Sequence, residues 1–221
     1  MGIYLYDVYN NSNIGIFCKA SEDFLLIPQG YAKPKSERLA KLIKTEPLFT
    51  SIGYTRLLGP LTLINSHGIL VSRFTTDEEL LQLRKTTGLK VERFDSTYSS
   101  VGNLVSTNDY GAVASDCIED KGIKQIEEVL KVKVYRMNIA GMIQVGSILC
   151  ASNNGAVVHP KASDLEIKHI SEALRVDCEP CSINGGIPFV TSGILVNSKG
   201  AIVGTQTSGP ELFILTKAFK L

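Results

Sequence analysis

Many signatures of specialised function are missing from this sequence of 221 residues. None of the motifs G-x-x-x-x-G-K-S/T, G-x-S-x-G and H-E-x-x-H occurs, and there is no dinucleotide-binding fingerprint, so nucleotide binding and the common hydrolase reactions have no local support. The first residues do not form a basic and apolar secretory leader, and no apolar run approaches membrane-spanning length. We therefore expect a soluble, cytoplasmic protein without a membrane partner.

An excess of one charge is also lacking. With 23 basic and 22 acidic residues the net charge is +1, which excludes strong electrostatic steering toward nucleic acid or membranes. Five cysteines in a chain without a leader predict free thiols in a reducing compartment. Cys178 and Cys181 have the spacing of a redox or zinc half-site, but no second pair accompanies them, and the three histidines make no motif. We expect no metal and no cofactor.

What the chain does contain is an internal repeat. Residues 145–174 form one complete unit, with a short apolar strand, a turn rich in asparagine and glycine, a second strand, and a helix that begins at Ser163. The turn glycine recurs at steps of 43, 44 and 45 residues, as Gly68, Gly111, Gly155 and Gly200. A second row keeps a similar step, with Gly15, Gly59, Gly102, Gly146 and then Thr191. Such a period indicates stacked or closed repeats.

Predicted helix starts follow the same period. Capping boxes are predicted at Thr76-x-x-Glu79, Ser163-x-x-Glu166 and Ser208-x-x-Glu211. The first copy is weaker, because Phe24 stands where the turn glycine is expected. Apolar spacing predicts a first helix over residues 36–45, a strand over residues 14–19 in the first hairpin, and an N-terminal strand over residues 4–9.

These observations predict an α/β fold made of five strand-strand-helix-strand repeats of about 44 residues each. The repeats are placed at residues 1–53, 54–97, 98–140, 141–185 and 186–221 of a single domain. A linear stack would need polar end caps, which are not visible here. The N-terminal strand can instead complete the fifth repeat and close the ring, which removes exposed sheet edges. The prediction is a five-fold pseudosymmetric propeller with strands around the axis and helices outside.

Asparagines recur in the predicted turns. Four of them are assigned to one repeat position and two lie in other loops, in this order: Asn65, Asn108, Asn153, Asn197, Asn13 and Asn184. Asparagine suits a tight turn for purely structural reasons. Loops at one end of a closed ring also form a rigid binding face, and a polar face of this kind suits protein recognition better than catalysis. Both interpretations stay open at this point.

Together with the repeat, a set of short motifs resembles the translation initiation factor 6 family from end to end. The compact length is similar to that of its archaeal members. The motifs are Asn13-Ile-Gly-Ile-Phe17, Thr107-Asn-Asp-Tyr110, Val145-Gly-Ser147, Ser152-Asn-Asn-Gly155, Val158-His-Pro-Lys161, Ser182-Ile-Asn-Gly185 and Phe219-Lys-Leu221.

The resemblance implies a pentein ring with a role outside catalysis. It implies binding to the large (50S) ribosomal subunit, a block on joining of the small (30S) subunit, and help in large-subunit maturation. The partner it implies is a ribosomal protein beside the sarcin–ricin loop, with minor rRNA contact and the factor acting as a monomer. The ribosome-binding residues that we predict on this basis are Asn65, Asn108, Asp109, Tyr110, Asn153, Asn154, Asn184, Ile194 and Asn197.

Two other functions belong to different classes. Guanidine-modifying enzymes, the deiminases and amidinotransferases, share the ring architecture and use a cysteine nucleophile with a histidine. Here the candidates would be Cys181 or Cys150 with His159, but the long insertions and late nucleophilic cysteine of those enzymes are absent. The third possibility is a small-molecule binder that uses the central channel of the ring.

Overall fold

Five three-stranded sheets, each with its own helices, repeat through the computed structural model, which describes residues 2–221. We call each sheet with its helices a blade and number the blades along the chain. A blade begins with a four-residue helical turn at its inner end. Two antiparallel strands, an outer helix and a third strand parallel to the second follow. The predicted strand-strand-helix-strand order is confirmed, and the helical turn is an element that the pattern did not show.

The helical elements have closely matched lengths in all blades. The helical turns are Ile14–Phe17, Leu58–Leu61, Val101–Leu104, Val145–Ile148 and Val190–Gly193. The outer helices are Lys33–Leu42, Asp77–Thr87, Asp120–Leu130, Asp164–Leu174 and Gly209–Phe219.

The strands are short and follow the same order. The first strands are Lys19–Ala20, Thr62–Ile64, Val105–Thr107, Leu149–Ala151 and Ile194–Asn197. The second strands are Phe24–Pro28, Gly68–Val71, Gly111–Ala114, Ala156–Val158 and Gly200–Val203. The third strands are Glu46–Thr50, Lys90–Arg93, Lys133–Arg136, Cys178–Pro180 and, for blade 5, Ile3–Leu5.

The N-terminal strand completes the last blade, as predicted. Ile3–Leu5 lies parallel to Gly200–Val203, with Tyr4 opposite Ile202. The first strands of successive blades contact one another in a complete cycle, in which blade 5 meets blade 1. The helical turns make the same cycle of contacts. Strands and helical turns therefore surround one axis, and the outer helices lie away from it.

The row of glycines that begins at Gly15 explains why the helical turns fit around the axis. A Cβ atom at Gly59 would overlap the backbone of Gly15, one at Gly102 would overlap that of Gly59, and one at Gly146 would overlap that of Gly102. The turns thus pack backbone against backbone, which only glycine allows. This close approach makes residues 14–17 helical, where a strand was predicted over residues 14–19.

Outer helices begin where side chains can cap them. The predicted capping boxes at Thr76, Ser163 and Ser208 are all formed. The first outer helix has no such box. It begins at Lys33 rather than at residue 36 because Pro34 suits the first helical turn. The N-terminal strand ends at Leu5, short of the predicted residue 9, since the chain turns between Val8 and Asn11.

Each hydrophobic core is shared by two blades. The cluster around Ile126 and Val129 of blade 3 includes Leu63, Leu70 and Phe94 of blade 2. The other four clusters join the remaining neighbouring pairs in the same way, including blade 5 with blade 1. Because every blade completes the core of its neighbour, no blade buries its apolar surface alone.

Candidate docking surfaces

The ring has two mouths, one at each end of the axis. The turn mouth is lined by the turns between first and second strands, and its cavity of about 30 Å³ includes Asn65, Asn108 and Ser152. The helix mouth is lined by the five helical turns and the loops before them, and its cavity measures about 380 Å³. We compare the two mouths because a partner could bind at either end of the ring.

At the turn mouth, Asn65 joins two blades. Its Nδ2 donates to the carbonyl oxygens of Asn108 at 3.2 Å and Leu130 at 2.9 Å, both in blade 3. Its Oδ1 accepts from the backbone N–H groups of His67 and Gly68 within its own turn. The side chain is only 3% exposed. Every polar atom of this amide is therefore used inside the ring.

The same bridge recurs at two further junctions. We call it the staple: a buried asparagine amide that donates to two carbonyl oxygens of the next blade. The Nδ2 of Asn108 donates to Ser152 O at 3.1 Å and Leu174 O at 2.9 Å. In the same way Asn197 joins blade 5 to blade 1, and its acceptors are the carbonyl oxygens of Ser21 and Ile43. Both asparagines are buried. The structural interpretation of the recurring asparagine thus holds at these three positions.

Asn153 does not occupy that repeat position, and this assignment was wrong. Ser152 occupies it, because its Oγ accepts from the N–H groups of Asn154 and Gly155 as the asparagine Oδ1 does elsewhere. Asn153 instead corresponds to Asp109, one residue further along the turn. The two side chains meet across the junction, with Asn153 Nδ2 donating to Asp109 Oδ2 at 2.7 Å.

The remaining predicted ribosome-binding residues are divided between different places. Asn154 Nδ2 donates to Ser198 O across the next junction, and Tyr110 projects from the turn mouth with 44% of its surface exposed. Asn184 is buried in the loop before the fifth helical turn, where its Nδ2 donates to Ser12 O. Ile194 is buried beside the axis. The structure thus brings seven of the nine residues to the cavity or rim of the turn mouth, namely Asn65, Asn108, Asp109, Tyr110, Asn153, Asn154 and Asn197.

The helix mouth differs in carrying exposed apolar side chains around its whole circumference. Each of the five loops that lead into a helical turn exposes at least one large hydrophobic residue; we call these the lead-in loops. The residues are Tyr9, Tyr54, Leu57, Tyr98, Ile143 and Phe189. Among residues 2–221, none that lines the cavity between the helical turns is charged. Sequence reasoning did not identify these side chains, because their residue type and their distance from the helical turn vary from blade to blade.

Buried carboxylates hold the lead-in loops in place. Glu79 accepts from the backbone N–H of Gly53 at 2.8 Å and of Tyr54 at 3.0 Å, while it also caps its own helix. Glu211 does the same for Gly185 and Gly186. Burial raises the pKa of each carboxyl, but the hydrogen bonds outweigh it and lower the pKa, for Glu211 to about 2. Both loops are therefore anchored by ionised groups at neutral pH.

The cysteines give little support to nucleophilic catalysis. Burial raises the pKa of Cys150 to about 11 and that of Cys181 to about 12, so both thiols are protonated at neutral pH. His159 Nδ1 accepts a hydrogen bond from the backbone N–H of Lys161 at 3.0 Å, so this nitrogen is not free to act as a base. Within residues 2–221 no cluster of three or more potential metal ligands is present, and no helix has the length and hydropathy of a membrane span.

Residues 3–218 match the family model described as the eIF-6 family. This chain belongs to that family. A translation initiation factor 6 from Cenarchaeum symbiosum (strain A) is 48% identical over 219 residues, covering 99% of both chains. The factor from Nitrosopumilus maritimus (strain SCM1) is 49% identical over 219 residues with the same coverage. The predicted family is confirmed, and with it a role as a translation initiation factor.

More distant family members and solved structures extend the comparison. The eukaryotic translation initiation factor 6 of Saccharomyces cerevisiae is 34% identical over 216 residues, covering 96% of this chain and 88% of its own. The N-terminal domain of ArgZ, an arginine dihydrolase from Cyanobacteria, superposes with a TM-score of 0.50 over 79% of this chain and 80% of its own. Its sequence identity is 12%, so this likeness concerns the fold alone. It confirms the pentein-type architecture.

Proposed function

We propose that this protein binds the large ribosomal subunit on the surface that faces the small subunit, and so prevents the two from joining. Membership of the eIF-6 family supports a role with the translation machinery. The observation that carries a docking role is the set of exposed apolar side chains on all five lead-in loops. A rigid body on that surface excludes the small subunit sterically, and the activity is a competition between two complexes.

The same proposal covers the setting in which the factor acts. It works as a monomer in the cytoplasm, and it assists maturation of the large subunit by keeping the joining surface covered. The 221 residues act as one unit, because every hydrophobic core is shared between two blades. This sharing supports a single domain with the five repeat boundaries that we predict from sequence.

We place the docking surface at the helix mouth. Its rim offers Tyr54, which is 81% exposed, and Phe189, and aromatic side chains of this kind dominate binding energy at protein interfaces. Arg56 lies over the Tyr9 ring at 5.5 Å, which joins two lead-in loops into one surface. The turn mouth is less suited, since its asparagine and carboxylate groups are already bonded between blades.

The chemistry of the helix mouth favours a protein over RNA as the main contact. Arginine and lysine supply most of the binding energy for phosphate, and none of the residues in 2–221 that line the cavity of about 380 Å³ is charged. The net charge of +1 agrees with a surface that gains little from phosphate. A ribosomal protein with an apolar projection, beside the sarcin–ricin loop, fits this surface with minor rRNA contact.

Sedimentation with isolated ribosomal subunits tests the proposal. The wild-type protein should pellet with the large subunit, not with the small one, and should keep added small subunits from forming joined ribosomes. Phe189→Asp and Tyr54→Asp should each weaken large-subunit binding by about tenfold or more, since an aromatic anchor is replaced by a charge. Thermal unfolding should stay unchanged, because both side chains are exposed.

Tyr110→Asp is the matched control at the turn mouth. We expect it to bind like the wild type. A loss of binding by Tyr110→Asp, with Phe189→Asp unaffected, would move docking to the turn mouth and to its predicted residues Asp109, Asn153 and Asn154. Ribosomes that join freely while the factor saturates the large subunit would refute the block itself.

A further inference from the structure

Between the two mouths the axis holds a central cavity of about 40 Å³, which we call the narrow cavity. All five blades contribute to its wall. Gly15 and Thr191 also line the helix mouth, while Ile64 and Thr107 also line the turn mouth, so the three cavities form one axial path. Its volume admits about three water-sized probes, which is room for a small ion with a water molecule and for nothing larger.

Lys19 lines this narrow cavity without a partner. Among residues 2–221, none accepts a hydrogen bond from its ammonium group or forms an ion pair with it, and no acidic residue lines the cavity. The nearest acids, Glu22 and Asp109, lie at the turn mouth and are bonded to Ser198 and Ser66. A positive charge without a counter-charge is costly in such a place.

The other polar side chains that line the narrow cavity are hydroxyls and thiols, which can donate hydrogen bonds but carry no charge. The hydroxyl of Ser106 has no protein partner among the described residues, whereas that of Thr191 donates to Leu149 O at 3.2 Å. Cys150 is close enough for the ammonium to affect its pKa, which stays raised at about 11, so the thiol is neutral. Burial lowers the pKa of Lys19 because it removes water from the ammonium group. An acceptor with one negative charge would satisfy both free donors.

We propose that the narrow cavity binds one small monovalent anion of the chloride class, held by the Lys19 ammonium and the Ser106 hydroxyl. The anion neutralises the only charge that lines the cavity and fits its volume, which a phosphate-sized group does not. By touching residues from all five blades, the site couples ring closure to ion binding. The bound ion therefore stabilises the closed ring.

Thermal unfolding in chloride, compared with gluconate at constant ionic strength, tests this site because gluconate is too large for the cavity. Saturating chloride should raise the wild-type Tm by about 3 °C. Lys19→Met should abolish this difference, and Ser106→Ala should reduce it. Lys124→Met, on the exposed face of the third outer helix, is the matched control and should keep it in full.

Crystals grown in bromide provide an independent readout. An anomalous peak next to Lys19 Nζ in the wild type, absent in Lys19→Met, is the expected result. If Lys19→Met does not fold, the wild-type peak and the Ser106→Ala titration decide the question. A cavity without bromide, or equal chloride dependence in the wild type and the variants, would overturn the proposal.

Discussion

The junction between blades 5 and 1 and the junction between blades 1 and 2 are built differently from the same repeat. At the first, Asn197 bridges to two carbonyl oxygens and Ser198 donates to Glu22. At the second, Ser21 bonds only within its own turn, and no side-chain hydrogen bond from residues 21–24 reaches the described part of blade 2. A cleft of about 510 Å³ opens there. We call the second junction the seam.

The difference teaches that the asparagine and the turn glycine work as a pair. Where both are present, the neighbouring outer helix lies against the turn; after Asn108, a Cβ at Gly111 would overlap the carbonyl oxygen of Ala173. The helix backbone is then within reach of a bridging amide. At the seam, Phe24 stands in place of the glycine, and both Phe24 and Leu89 pack against the core that blades 1 and 2 share. We infer that the bulk of Phe24 keeps the outer helix of blade 2 from this turn, which leaves an amide at position 21 without an acceptor.

Removing the staple should have the largest effect. Asn197→Ala leaves two buried carbonyls and two turn N–H groups without a partner, which should cost about 3 kcal/mol of unfolding free energy. Ser21→Ala at the seam removes only bonds local to its turn and should cost less than about 1 kcal/mol. Urea unfolding of both variants measures the contrast. Equal losses of unfolding free energy would mean that the side chains of residues 21 and 197 contribute equally to stability, which would contradict the difference between the two junctions.

Filling a turn glycine should come next. Gly111→Ala places a Cβ against Ala173 and forces the fourth outer helix to move, so we expect a loss of about 2 kcal/mol. Gly209→Ala is the control, since nothing lies within 4 Å of its Cβ position. A neutral Gly111→Ala would show that the helix yields without cost, and the pairing of asparagine with glycine would lose its steric basis.

Acid should loosen the seam through Glu79. This carboxylate accepts bonds from Ser51, Gly53 and Tyr54 there, and its pKa is lowered in the folded state. A lowered pKa means that its stabilisation is complete above the unfolded value and is lost as pH falls through the folded one. Amide hydrogen exchange at Gly53 and Tyr54 should therefore rise as the pH falls below about 4.5.

The variant Glu79→Gln separates this titration from general acid unfolding. Its lead-in loop should exchange quickly at neutral pH and change little on acidification. Exchange at Gly53 and Tyr54 that stays unchanged when the wild type is acidified would contradict this role of Glu79.

Restoring the missing pair should have the smallest effect. Ser21→Asn alone and Phe24→Gly alone should each destabilise, because one amide lacks its acceptor and one core side chain is lost. The double variant should recover about 1 kcal/mol relative to the sum of the single changes. Strict additivity in this cycle would show that the two positions are independent.

The repeat period predicted the fold well because several kinds of residue recur with the same step along the sequence. The glycine rows and the capping boxes mark the same step, and ring closure follows from an N-terminal strand that needs a partner. The helical turns were missed since runs such as residues 14–17 are apolar and contain two isoleucines, which also suits a strand. Only the backbone contact at the glycines decides between the two.

Less of the candidate site followed from the sequence. Asn65 and Asn108 belong to the recurring asparagines that suggested a binding face, yet each is buried between blades. A polar residue that recurs with the repeat can bond neighbouring repeats to each other as well as form a surface. The one-residue shift at Asn153 arises since serine replaces asparagine as the acceptor in that turn. The exposed residues of the lead-in loops share no residue type and no fixed position, so no motif announced Tyr54 or Phe189.

The pairing of Ile3–Leu5 with Gly200–Val203 also determines when the fifth sheet can form during synthesis. During synthesis, Ile3–Leu5 stays unpaired until Gly200–Val203 has left the exit tunnel. A chain truncated before Gly200 keeps an unpaired strand edge, which exposes it to proteases and to other unfinished chains.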